Sequence, residues 1–444
     1  MIRIANGQGF WGDWLEAPVR LVDGGPLDYL TLDYLAEVTM SILQKQRKSD
    51  STLGYARDFP PLIARIAPQI RERHIRVIAN AGGVNPIACA REVLRLAPAL
   101  KVAVVLGDDF LDRIDDLLAS GQQLQNIDTA EPITQIRNQI QSANAYIGAF
   151  PLAEALATGA DVIVTGRCAD AALALAPMIH EFGWKPEQWD LLAAGIVAGH
   201  IIECGTQATG GNCSLDWRTT PDFAHIGYPV IEAESDGTAV ITKHAGTGGR
   251  VTLATVKEQL VYEIGDPKRY MTPDVVADFT SIRLAEDGPD RVKITGARGA
   301  PRPPMLKASI AYHYGWKALG TLVYTAPDAL AKAKIADSVV RTRLAGLGLQ
   351  FEKIHTEFFG VNACHAHLAP QVEETPEVQL RIGVRDRDRS RVDRFTRELI
   401  PLILNGPPAA TGYGDGRPQV REVVAYWPAL LQRNVSQTRV EVIE

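Results

Sequence analysis

The sequence predicts an α/β protein. An N-terminal, mostly parallel Rossmann-like sheet with helices on both faces is followed by a smaller α+β domain. Three observations carry this. Short runs rich in Val and Ile recur in the first half, each closed by a glycine-containing or acidic turn. Several of these runs are followed by a helix-like stretch, the pattern of a parallel sheet covered on both sides. After about residue 225 the texture changes to runs of strands with fewer, longer helices. A length of 444 residues suits two domains, placed at 1–225 and 226–444.

In chain order, residues 2–5 (IRIA) read as the first strand and 27–32 (LDYLTL) as the second. Residues 75–79 (IRVIA) form the next, interrupted by NAGGVN at 80–85. Pro86 suits a first helical position with Asn85 as N-cap, and 87–97 continue as a helix. Residues 101–106 (KVAVVL) and 161–164 (DVIV) are further strands, and 169–181 a helix. Beyond 225, residues 226–245 carry a hairpin signal around Asp236 and Gly237. Helices are expected over 251–263, 328–347 and 391–404, and strands over 291–294, 305–312 and 379–384. Residues 405–418 read as a loop.

The composition is 46% apolar and 22% charged, with a net charge of -6. No basic block stands out, which argues against nucleic acid or an anionic membrane as the main partner. No apolar run approaches the ~20 residues of a membrane span, and no signal peptide is expected. Cys89, Cys168, Cys204, Cys213 and Cys364 are scattered and never spaced C-x-x-C. That argues against a disulfide framework and a structural zinc site, with the cytoplasm as the expected compartment.

Ligands of such sheets sit outside the carboxyl ends of the strands. The loops 7–13, 33–37, 80–85, 107–109 and 165–170 are therefore expected to line one crevice. Gly7, Gly9 and Gly12 match G-x-G-x-x-G, and Asp33 lies about where a ribose-binding acid would stand. This supports a nicotinamide-dependent oxidoreductase as one reading. Against it, Phe10 and Trp11 are bulky where the turn must be tight, and Pro18 interrupts the helix that should follow. The alternatives are a substrate loop in which Gly9 offers its N–H and Trp11 and Asp13 face a ligand, and a merely structural turn.

Asn80, Gly82, Gly83 and Asn85 form a strand-to-helix turn whose N–H groups suit an anion. Arg167 suits a carboxylate or phosphate through its planar fork, and Asp170 is a base, a metal ligand or the partner of Arg167. His200 and Glu203 share one helix face and suit acid–base work, with a core histidine as the plainer alternative. A metal there would need Asp108, Asp109 or Asp170 as well. Asn212 belongs to a second double-glycine turn. His365 and His367 would share a face on a strand, without a third ligand nearby.

The chain resembles the acyclic terpene utilisation protein A family. The resemblance rests on GYARDF at 54–59, NAGGVNP at 80–86, DVIVTGRCAD at 161–170, HEFGW at 180–184, residues 199–212, residues 246–266 and PDVVADFT at 273–280. It implies a place in the catabolism of branched acyl-CoA compounds such as citronellyl and geranyl derivatives. Longer relatives carry a further ferredoxin-like domain, so the resemblance also implies a small, separately encoded companion subunit. The expected function is a lyase or hydratase acting on a small carboxylate or CoA thioester, through Asp170, His200 and Glu203. A non-catalytic, metabolite-binding subunit is the remaining alternative. A homo-oligomer is expected.

Overall fold

β-branched residues fill the strands that the sequence marks. In the computed structural model these are β1 (Ile2–Gln8), β2 (Tyr29–Leu32), β3 (Arg76–Ala79), β4 (Val102–Leu106), β6 (Val162–Thr165), β7 (Pro229–Ala233) and β8 (Ala239–Lys243), with β5 (Ile140–Ala145), which the sequence does not mark, between β4 and β6 in the chain. The structure describes residues 1–36, 38–214, 217–370, 374–412 and 416–444. Glu37, part of one expected loop, lies outside them, as do residues 413–415 of another.

Five strands pair in parallel in the order β1-β2-β3-β6-β4. Alternate side chains supply two cores, as a two-sided sheet requires. Ile4, Tyr29, Ile78, Ala103 and Ile163 enter one; Ala5, Leu30, Val77, Val102 and Val162 enter the other. The second core is covered by α1 (Glu16–Gly24), α2 (Thr39–Ser49), α3 (Phe59–Glu72) and α4 (Pro86–Leu96). The short α5 (Ile114–Ala119) sits in a separate small cluster. The first core is covered by α6 (Ala149–Ala157), α7 (Ala172–Phe182) and α8 (Trp189–Glu203). The crossovers to β2, β3 and β4 advance across the sheet, and the step from β4 to β6 turns back. Right-handed connections then place the helices on opposite faces.

Antiparallel strands extend the sheet. β7 pairs with β1 and β8 with β7, continuing to the strands Val292–Thr295 and Arg283–Glu286. Arg439–Ile443 pairs with β4 at the far edge. The chain divides into two units, Met1–Tyr312 with Tyr426–Glu444, and His313–Ala425. The break expected near residue 225 falls within the first unit, where β7 keeps the chain on the same sheet.

The second unit is smaller and rich in strands. Glu377–Asp386 pairs antiparallel with residues 316–325 and with Lys353–Phe359. The helix Ala329–Gly346 packs its apolar side chains against this sheet.

Local departures have physical causes. α1 runs through Pro18, which lies in the first turn where backbone N–H groups have no helical partner, so the ring removes no bond. The helix expected over 251–263 is Leu253–Leu260, started by the Thr252 side chain, which accepts from the Thr255 N–H. The expected helix 391–404 is two short helices, Arg389–Phe395 and Leu402–Asn405, with Pro401 beginning the second. The strand expected over 305–312 is the longer Met305–Thr325. His365 and His367 lie on an exposed single turn, not a strand.

Candidate functional site

Three of the five expected loops meet. The chain leaves β1 through a turn held by Asp13. Its Oδ2 accepts from the Gly9 N–H at 2.9 Å, and its Oδ1 accepts from the Trp14 N–H at 2.7 Å and the Tyr228 hydroxyl at 2.8 Å. Gly12 has φ +112°, a conformation that favours glycine. At Gly9 a Cβ would lie 3.1 Å from the Cys204 carbonyl carbon, so this turn presses on the end of α8. β2 delivers Asp33, β6 delivers Arg167 and Asp170, and α8 ends in Glu203. With Gly9, Phe10, Asp13, Cys204, Asn212, Tyr262 and Glu263 they line a crevice of about 490 Å³.

The crevice is rich in carboxyl groups around one cation. Arg167 is only 2% exposed. Its Nη1 donates to Asp170 Oδ1 at 2.8 Å, and its guanidinium lies 4.2 Å from the centroid of the Tyr146 ring. Burial opposes its charge, but Asp170, Tyr146 and Asp33 more than offset that and hold it protonated. Asp33 is buried, and its carboxyl is raised well above the ordinary range, by burial first and then by the charge of Asp170. Arg167 and the Asn80 amide oppose that rise. Asp33 therefore keeps its proton to higher pH than an ordinary carboxyl.

Glu203 is raised by burial, against the pull of His200. His200 Nδ1 and Glu203 Oε1 are 2.8 Å apart. His200 is itself buried against the adjoining rings of Tyr270 and Phe279, with centroids 5.5 and 5.4 Å away. Burial lowers its pKa, but Glu203 raises it further, so the net shift is upward. Glu203 Oε2, His200 Nε2 and Arg167 Nε are buried without a hydrogen-bond partner among the described residues. Burial pushes the Cys204 thiol up to about 12, which leaves it an unreactive neighbour.

Other expected site residues lie elsewhere or have different tasks. Trp11 turns away and donates its indole N–H to Asp58 Oδ1 at 2.9 Å. His200 stands behind Glu203 rather than in the crevice wall. Asn80 is buried behind Asp33, donating to it and accepting from the Tyr34 N–H. The N–H of Gly82 donates to Thr165 O at 3.1 Å, that of Gly83 to Asn80 O at 3.3 Å, and that of Gly9 to Asp13. These three N–H groups are thus used inside the fold and do not reach for an anion. Asn85 does not cap α4 with its side chain, which instead donates to Ser51 O and Leu53 O. Gly83, Asn85, Asp108 and Asp109 line a separate cavity, so the five loops divide between two spaces.

Arg167 already holds Asp170 through Nη1, and the acidic surroundings disfavour a substrate carboxylate beside it. No sequence motif singles out Tyr262 and Glu263, which come from the segment just after Leu253–Leu260. Only the resemblance, which covers 246–266, touched them. Among the described residues no group of three His, Cys, Asp or Glu side chains is arranged to hold a metal ion, and no helix is long and apolar enough to cross a membrane.

Searches of curated proteins and of solved structures return no match. A family model described as acyclic terpene utilisation family protein AtuA matches residues 2–442. The match spans nearly the whole chain, and the protein belongs to that family.

Proposed function

We propose that this chain is a cytoplasmic enzyme of branched acyclic acid or acyl-CoA catabolism, a lyase or hydratase that works by acid–base chemistry. The family places it in acyclic terpene utilisation. The observation that carries the reaction type is the crevice, where Asp33, Asp170 and Glu203 stand around the locked Arg167. Asp33 is the proton donor, because burial and the charge of Asp170 raise its affinity for a proton. Glu203, with Oε2 unpartnered and Oε1 tied to His200, receives or returns a proton. Arg167 holds Asp170 in place and balances its charge. Burial raises both the Asp33 and the Glu203 carboxyl, towards the range in which a carboxyl exchanges protons near neutral pH.

The dinucleotide reading has less support. The Asp33 carboxyl accepts from Asn80 and the Leu35 N–H, and Gly9 is pressed against α8 rather than open to a pyrophosphate. Five free cysteines accord with the cytoplasm.

The test is solvent-deuterium incorporation. The purified chain is incubated in D₂O with branched enoyl and 3-hydroxyacyl thioesters, with and without cell extract to supply a companion subunit. The proposal expects deuterium at the carbon next to the thioester, followed by NMR. Absence of exchange with every thioester, together with a thermal shift caused by NAD(H) or NADP(H), would favour the oxidoreductase instead.

A further inference from the structure

The loops after β3 and β4 bound a second cavity, of about 560 Å³, which the chemistry above does not use. Its electrostatic character is opposite to that of the crevice. Arg47 from α2, Arg113 from the turn before α5, and Arg439 from the edge strand Arg439–Ile443 all line it. Arg47 donates to Val84 O at 2.7 Å, and Arg113 to Val435 O at 3.1 Å. A carbonyl partner steadies a guanidinium without neutralising it, and uses only one of its five donors.

The opposing charge is smaller. Asp109 lies 3.8 Å from Arg47, and Arg439 meets Glu441 at 2.8 Å. Asp108 also lines the cavity, and burial pushes its carboxyl up to about 7. Two glycines, with Asn85, Ile87, Gln437 and Thr438, form part of the wall between these groups. Gly83 and Gly107, with φ of +52° and +113°, expose no side chain. The first turn of α4 opens on the same space, and no side chain caps it.

We propose that this cavity binds a phosphate ester, with Arg47, Arg113 and Arg439 as its cationic donors. Guanidinium forks match phosphate oxygens in pairs, and three forks from separated segments define a site rather than a diffuse basic surface. The class includes a free phosphorylated metabolite and the phosphates of a nucleotide-bearing thioester carrier. The inference is independent of the acid–base reading.

The test is calorimetric titration of the intact chain at low ionic strength with pyrophosphate and with adenosine 3′,5′-bisphosphate. Binding is expected for at least one probe, weakening with salt. It should fall at least about tenfold in the double variant Arg113→Gln/Arg439→Gln. Arg439→Gln alone, at a side chain 63% exposed, should weaken binding measurably without disturbing the fold. Glu263→Gln, in the other crevice, should leave it unchanged. Tighter binding of the bisphosphate marks a nucleotide-bearing ligand, and equal binding marks the phosphate group alone. No binding of either probe, or binding that survives both arginine variants, overturns the proposal.

Discussion

Asn80 Nδ2 donates to Asp33 Oδ1 at 2.7 Å, and Asn80 Oδ1 accepts from the Tyr34 N–H at 2.7 Å. One buried amide at the end of β3 thus fixes both the carboxyl at the end of β2 and the backbone that follows it. Asn80→Ala leaves a buried N–H without its acceptor and removes Asp33's anchor. It should destabilise the fold by ~1–3 kcal/mol. Urea unfolding of the variant beside the parent checks this.

Asp108 gives the stability a pH slope. Its folded pKa of about 7 stands above the unfolded value, with burial as the main cause. The folded state therefore binds the proton more tightly. Stability from this group is fully present below about pH 4 and is lost as pH rises to about 7. Asp108→Asn cannot ionise, so the variant should gain on the parent across that window. Unfolding free energies measured at intervals from pH 4 to pH 8 check the slope.

Arg167 is a buried cation whose removal strands its neighbours. Arg167→Met leaves Asp170 without its partner and Asp33 without its balancing charge. A loss of ~3–5 kcal/mol is expected. The double variant Arg167→Met/Asp170→Asn should recover part of it, which equilibrium unfolding will show.

Gly166 is set by contact rather than by backbone angle. A Cβ there would lie 2.4 Å from Asp108 Oδ2, which accepts from the Arg167 N–H at 2.8 Å. Gly166→Ala should cost ~1–3 kcal/mol through displacement of that buried carboxyl. At Gly121 a Cβ would meet nothing within 4 Å, and only φ +93° opposes it. Gly121→Ala should therefore be the milder change in a side-by-side thermal melt.

Much of the fold is legible because strand residues that are apolar on both faces leave continuous Val and Ile runs, as in VAVVL and VIVT. The carboxyl-end loops follow from that pattern, and so does the meeting of Gly9, Asp13, Asp33, Arg167 and Asp170; that Glu203 and Asn212 join them does not. The division of the five loops between two cavities is not legible. The loop after β6 joins those of β1 and β2 although β3 lies between them in the sheet, and no local periodicity shows that. Nor does the sequence show that Trp11 finds Asp58, since that bond joins residues far apart in the chain. Tyr262 and Glu263 reach the crevice only through tertiary packing. The sequence offers Arg167 as a candidate, but its contacts with Asp170 and Tyr146 have a geometry that the spacing alone does not fix.

The central claim is that the crevice transfers protons between carboxyl groups and a branched substrate. The most direct measurement is the rate of solvent-deuterium incorporation into a branched thioester by Glu203→Gln and Asp33→Asn, with folding verified by circular dichroism. Removal of a general acid or base should slow exchange by roughly 10²–10⁴-fold in each variant while binding persists. Exchange within about twofold of the parent in both, well short of what acid–base catalysis requires, would contradict the account.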